Sequence, residues 1–157
     1  MRLAVNLDNH STGFEFSWTP LQAGGNRCYL WECPNAGGAD EDKPVVYRHV
    51  LEIPIVGIVT IYVGEGSSLN GPSPHHLKFQ YGSGGHGKSR VKVRKYLKDQ
   101  TRTGWTEILD LSNPGVNLAN DRQRKFVQMI FIATYYLEHQ KLVAQGCDVP
   151  EFLNDPH

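Results

Sequence analysis

Val45-Val46-Tyr47-Arg48-His49-Val50-Leu51 and Val56-Gly57-Ile58-Val59-Thr60-Ile61-Tyr62-Val63 are joined by Glu52-Ile53-Pro54-Ile55, and these runs decide how the chain folds. Both are rich in β-branched and aromatic residues, which suit a pleated, half-buried surface. The link between them allows only a tight reversal, so the stretch predicts an antiparallel hairpin with a slightly irregular turn. Pro44 opens it, and Gly64-Glu65-Gly66-Ser67-Ser68 ends its second strand.

Toward the C-terminus, a Pro/Gly/His-rich stretch spans residues 70–87, and a helix is predicted over 89–99. Ser89 would cap it, with Val93, Tyr96 and Leu97 as its apolar stripe. Residues 105–111 predict a third strand, closed by a Ser112-Asn113-Pro114-Gly115 turn. A long helix starts at Asp121 and stops at Gly146. Its stripe Phe126, Ile130, Ala133 and Leu137 is expected to face the core, and apolar residues on neighbouring faces predict a largely buried helix. Upstream, residues 3–7, 14–18 and 28–31 read as short strands between turns. The expectation is one α+β domain over 1–157, a small antiparallel or mixed sheet flanked by helices. Residues 1–43 form an N-terminal extension, 44–145 the core and 146–157 a tail.

The chain has 157 residues, 39% of them hydrophobic and 20% charged, which excludes a disordered tail and a fibrous repeat. No apolar run approaches the ~18 residues of a membrane span, and the N-terminus lacks a signal-peptide core. Cys28, Cys33 and Cys147 are too few and odd in number for a closed disulfide framework, which points to a reducing cytoplasm. Lysine and arginine total 16 and so do aspartate and glutamate, yet the balance is uneven. Lys78, Lys88, Arg90, Lys92, Arg94, Lys95, Lys98 and Arg102 lie between residues 75 and 102, opposed only by Asp99. Such a segment reads as a polyanion site, or else as a solvated helix face.

Three motifs could carry chemistry. Gly82-Ser83-Gly84-Gly85-His86-Gly87-Lys88-Ser89 fits the phosphate-cradling pattern G-x-x-x-x-G-K-[ST], but the run before it makes a poor buried strand. Cys28 and Cys33 lack a second pair to complete a zinc site. The hairpin is the third: Tyr47 and Tyr62 near its strand ends could converge at one rim, with Arg90 and Arg94 sharing a face of the following helix. Phosphodiester hydrolysis needs an activated water, cationic stabilisation of the phosphorane charge and usually a carboxylate-held metal.

VVY, then IYVG with Glu65-Gly66-Ser67-Ser68-Leu69, then a basic helix with Arg90, resembles the GIY-YIG nuclease superfamily over about residues 44–140; Val45 replaces a signature glycine. The resemblance implies a DNA endonuclease, restriction-type, using one Mg2+ (or Mn2+), acting on double-stranded DNA and paired as a homodimer. It implies that Tyr47 assists deprotonation of water, that Tyr62 and Arg90 hold the phosphate, and that Arg94 is a polar helper or the principal arginine. Lys78, Lys88, Lys92, Lys95 and Lys98 become backbone contacts, and His75 and His76 groove contacts. The family's metal-binding glutamate falls at Gln128, a neutral side chain. Either the chain is impaired, by engineering or naturally, or the ligand is Glu138 or Glu107. Gln140, or less favourably Asn154, stands for the asparagine some members carry. The competing class is a module that holds nucleic acid without cutting it.

Overall fold

The computed structural model describes residues 1–7, 10–32, 43–66, 85–112 and 115–154. Its elements in chain order are β1 (Arg2–Leu7), β2 (His10–Pro20), β3 (Gln22–Ala23), β4 (Asn26–Arg27), β5 (Val45–Ile53), β6 (Gly57–Gly66), α1 (Gly85–Lys98), β7 (Gly104–Leu111) and α2 (Asp121–Ala144). The main sheet runs β1-β2-β7-β5-β6, every neighbouring pair antiparallel, and β3 with β4 forms a separate ribbon. The expected α+β architecture is therefore present, with the N-terminal extension contributing strands to the same sheet.

The two faces of the sheet take different covers. On one, Val127, Phe131 and Tyr135 of α2 pack against Val46, Val63 and Leu109, beside Phe152 from the tail. On the other, Val93 and Leu97 of α1 pack with Tyr29 over Leu51, Ile53, Val59 and Ile61. Alternation along β5 explains the division, since successive strand residues point to opposite faces. Arg48 therefore points to the α2 side. There its guanidinium meets Glu107 at 2.6 Å and donates to Thr60 Oγ1 at 3.1 Å and Tyr135 Oη at 2.8 Å. Trp105 Nε1 donates to the other Glu107 oxygen at 2.9 Å, so this buried pair is well hydrogen-bonded.

Several expectations need correcting. The core-facing side of α2 carries Val127, Phe131 and Tyr135, not Phe126, Ala133 and Leu137; Phe126 is 51% and Leu137 67% exposed. Apolar residues surround this helix, so periodicity alone did not single out the stripe that the sheet covers. Residues 28–31 form no strand. They cross over the sheet, tied to β7 by Thr106 N–H to the Cys28 carbonyl at 3.0 Å. Helix α1 starts at Gly85 rather than Ser89, so the second half of the phosphate-loop pattern is helical. Its remainder and the run before it lie outside the described residues. The antiparallel sheet also lacks the parallel strand–loop–helix setting which that pattern needs. Cys28 is held in a disulfide and Cys147 is free. A disulfide removes a thiolate from any zinc site and is not what a reducing setting predicts. Among the described residues, no helix is long and apolar enough to cross a membrane.

Candidate phosphate-binding site

Tyr47 and His49 are two apart on β5 and share the face under α1. Across the ladder, Tyr47 lies opposite Gly64 and Ile108, and His49 opposite Tyr62 and Thr106. The Tyr47 and Tyr62 ring centroids are 6.3 Å apart, so the two hairpin tyrosines do converge. A register shift between His49 and Val50 leaves Ile61 as the extra residue of β6. Such a bulge re-aims the neighbouring side chain, here Tyr62. Gly64 is required by the same packing, because a β-carbon there would overlap Cζ and Oη of Tyr47.

His49 is central to this face. It stacks on Tyr62 at 5.6 Å and 18°, and its centroid is 5.3 Å from that of Tyr47 and 5.1 Å from that of Trp31. Leu30 N–H donates to Thr106 Oγ1 at 2.8 Å, and the same oxygen lies 2.8 Å from His49 Nδ1. With one lone pair of that hydroxyl engaged, its proton is best placed on Nδ1, which leaves the imidazole proton on Nε2. Nε2 is buried with no hydrogen-bond partner. Complete burial lowers the His49 pKa to about 3, so the ring is a neutral donor at physiological pH. Sequence reading passed over His49, although its i+2 spacing from Tyr47 put it on the same face.

The remaining cover comes from residues 28–32 and α1. Tyr29 stacks on Trp31 at 4.6 Å, and burial, reinforced by Glu32, pushes the Tyr29 phenol pKa up. The Arg94 guanidinium lies 5.9 Å above the Trp31 ring, with its Nε buried and without a hydrogen-bond partner. Tyr47, Tyr62, His49, Trp31 and Arg94 thus form one connected group, rich in hydrogen-bond donors and carrying a cation. Such a set suits the oxygens of a phosphate. Tyr47 is 0% exposed, so activating a water there would require this face to open.

Not every expected residue can be placed. The backbone of Arg90 and Lys88 lies on α1, but their side chains are outside the described residues, as are His75, His76 and Lys78 entirely. Lys92, Lys95 and Lys98 are exposed along α1.

On the outer edge of β6, Gln128 Nε2 donates to the Val63 carbonyl at 3.2 Å. Asn154 brackets the same peptide, accepting from Val63 N–H at 2.5 Å and donating to its carbonyl at 2.8 Å. With Leu153 N–H on the Ile61 carbonyl at 2.8 Å, the tail covers an otherwise open strand edge. Gln128 therefore does reach the strand that carries Tyr62. Asn154 thus lies at this edge, whereas Gln140 is exposed on α2.

These donors do not fit a magnesium or manganese ion. Both side chains are neutral amides turned toward a backbone carbonyl, whereas such ions are held through carboxylates. Neither alternative acid substitutes: Glu107 is committed to Arg48 and Trp105, and Glu138 is exposed. Nearby Glu65 is paired with Arg124 at 2.6 Å. Among the described residues no group of three His, Cys, Asp or Glu side chains could hold a metal. No family model, no curated protein and no solved structure matches the chain.

Proposed function

We propose that the chain is a double-stranded-DNA endonuclease on the GIY-YIG plan, restriction-type, with hydrolysis impaired by glutamine at position 128. The observation that carries this reading is the approach of the Tyr47 and Tyr62 rings, with Tyr47 against Gly64, while Gln128 and Asn154 reach Val63, which lies between Tyr62 and Gly64 in sequence. The order of hairpin, basic helix, strand and long helix supports it. Tyr62 and Arg94 would hold a phosphate at the partly open side of the group, with His49 steadying Tyr62. Exposed Lys92, Lys95 and Lys98 would follow the DNA backbone.

A second reading, a module that binds DNA without cutting it, is favoured by one detail. The Gln128 N–H already satisfies the Val63 carbonyl, leaving no demand for a cation there. Both readings require DNA affinity. Fluorescence anisotropy with duplexes of varied sequence over a salt series should show binding that weakens steeply with salt, and at least tenfold weaker binding for Arg94→Ala. Affinity that is absent, or indifferent to both changes, contradicts both readings.

A further inference from the structure

The β5–β6 hairpin ends in an apolar tip. Pro54 and Ile55 are exposed in the short turn between Ile53 and its ladder partner Gly57, and Ile58 just beyond is 52% exposed. Ile55 combines full exposure with φ 73°, a backbone that glycine or asparagine adopts at less cost. Isoleucine there serves neither folding nor solubility, and residues held in such conformations cluster where proteins meet ligands.

The tip also lies at the end of a basic row. Arg94 stands over Trp31 at the candidate site, and Lys95 and Lys98 are exposed along the rest of α1. The chain then returns to the hairpin. Glu52 N–H donates to the Thr103 carbonyl at 2.8 Å, and Arg102 shares a shallow recess with residues 52–57. Between Lys92 and Arg102 five cations face one acid, Asp99. Two further acids lie on this side, Glu52 and Asp148. Asp148 meets Arg102 at 3.0 Å in an exposed pair, weak enough for a phosphate to replace.

We propose that Ile55 is a wedge that enters the minor groove of bound double-stranded DNA and parts two stacked base pairs, kinking the duplex. The inference rests on the DNA-binding reading above and adds to it the residue that deforms the bound duplex. Isoleucine and proline are among the apolar side chains that act in this way. Tyr62 lies opposite His49, six residues before Ile55 along the strand and turn. At ~3.3 Å per residue that is about 20 Å, so the wedge meets the duplex about six base pairs from a phosphate held at Tyr62. Lys95, Lys98 and Arg102 then follow the backbone between the two points. Because pyrimidine–purine steps unstack most easily, the wedge gives the chain a sequence preference at a position where it makes no hydrogen bond to a base.

A duplex rich in TA steps, carrying a dye at each end and 2-aminopurine within, reads the kink. Saturation with the full chain should raise energy transfer between the ends and at least double the 2-aminopurine fluorescence. Ile55→Asn, which keeps the turn, should bind with the same salt dependence, since no phosphate contact is removed, yet leave the duplex straight and the 2-aminopurine quenched. Ile55→Leu should retain both signals. A duplex that stays straight under the parent protein, one that Ile55→Asn kinks as fully, or loss of the signals with Ile55→Leu as well would overturn the wedge and leave DNA binding in place. No affinity for any duplex would overturn the wedge together with the reading it rests on, so the two failures are told apart.

Discussion

The Tyr47 ring occupies the space in which Gly64 would carry a side chain, with Cζ and Oη closest to that position. The two residues face each other across the β5–β6 ladder, so the glycine that follows Tyr62 and Val63 also sets where Tyr47 can lie. Gly64→Ala should force the ring aside. Overpacking of this kind costs about 1–3 kcal/mol, so the melting temperature should fall by roughly 2–12 °C. A differential scanning calorimetry trace matching the parent would show that the ring does not need the glycine.

His49 makes stability depend on pH. Its folded pKa, near 3, lies below the ordinary 6.5, so the unfolded chain takes up the proton first as the medium is acidified. Its contribution is fully present above pH 6.5 and is lost progressively down to about pH 3, at up to about 1.4 kcal/mol per pH unit. His49→Gln should flatten the profile by about one proton. Urea unfolding at pH 7.5, 6 and 5 checks this; parallel profiles for the two proteins would contradict it.

How much of this was legible in the sequence differs by element. The hairpin, the third strand and the ends of α2 followed from β-branched runs, from Asp121 as the helix start and from Gly146 as its stop, because local sequence determines them; the capping asparagine itself was not singled out. Asn120 caps α2 by accepting from Gln123 N–H at 3.1 Å, and Gly146 takes φ 75° just beyond it. The convergence of Tyr47 with Tyr62 was also legible, because alternation and pairing determine which face a strand residue occupies. Three features were not. The buried stripe of α2 depends on which apolar face the sheet meets. The crossing of residues 28–31 over His49 depends on contacts with distant β7. Asn154 reaches Val63 through a chain reversal after α2 that no periodicity encodes.

Arg48 and Glu107 form a buried ion pair with several further hydrogen bonds, their side chains 11% and 7% exposed. Glu107→Leu alone should cost about 3–5 kcal/mol by leaving a buried guanidinium without its counter-charge. Adding Arg48→Met should recover much of that loss. Chemical denaturation of the two variants tests this, and a double variant no more stable than the single one would contradict it.

Ile55 sits at the hairpin turn with φ 73° and is fully exposed, a left-handed conformation that a β-branched residue tolerates poorly. Ile55→Asn should relieve about 1 kcal/mol of strain and raise the melting temperature by roughly 2–4 °C. An unchanged or lower melting temperature would mean the turn stores no such strain.

Position 128 bears most directly on the nuclease proposal. A glutamate there, directed as the glutamine is, would set a negative oxygen against the Val63 carbonyl, an arrangement that calls for a cation between them. Supercoiled plasmid incubated with the Gln128→Glu protein and Mg2+ should be nicked or linearised, and adding Tyr62→Phe to that variant should abolish the cleavage. Intact plasmid with the Gln128→Glu protein, when that protein is folded and still binds duplex DNA, would contradict the endonuclease reading and leave the binding module in its place.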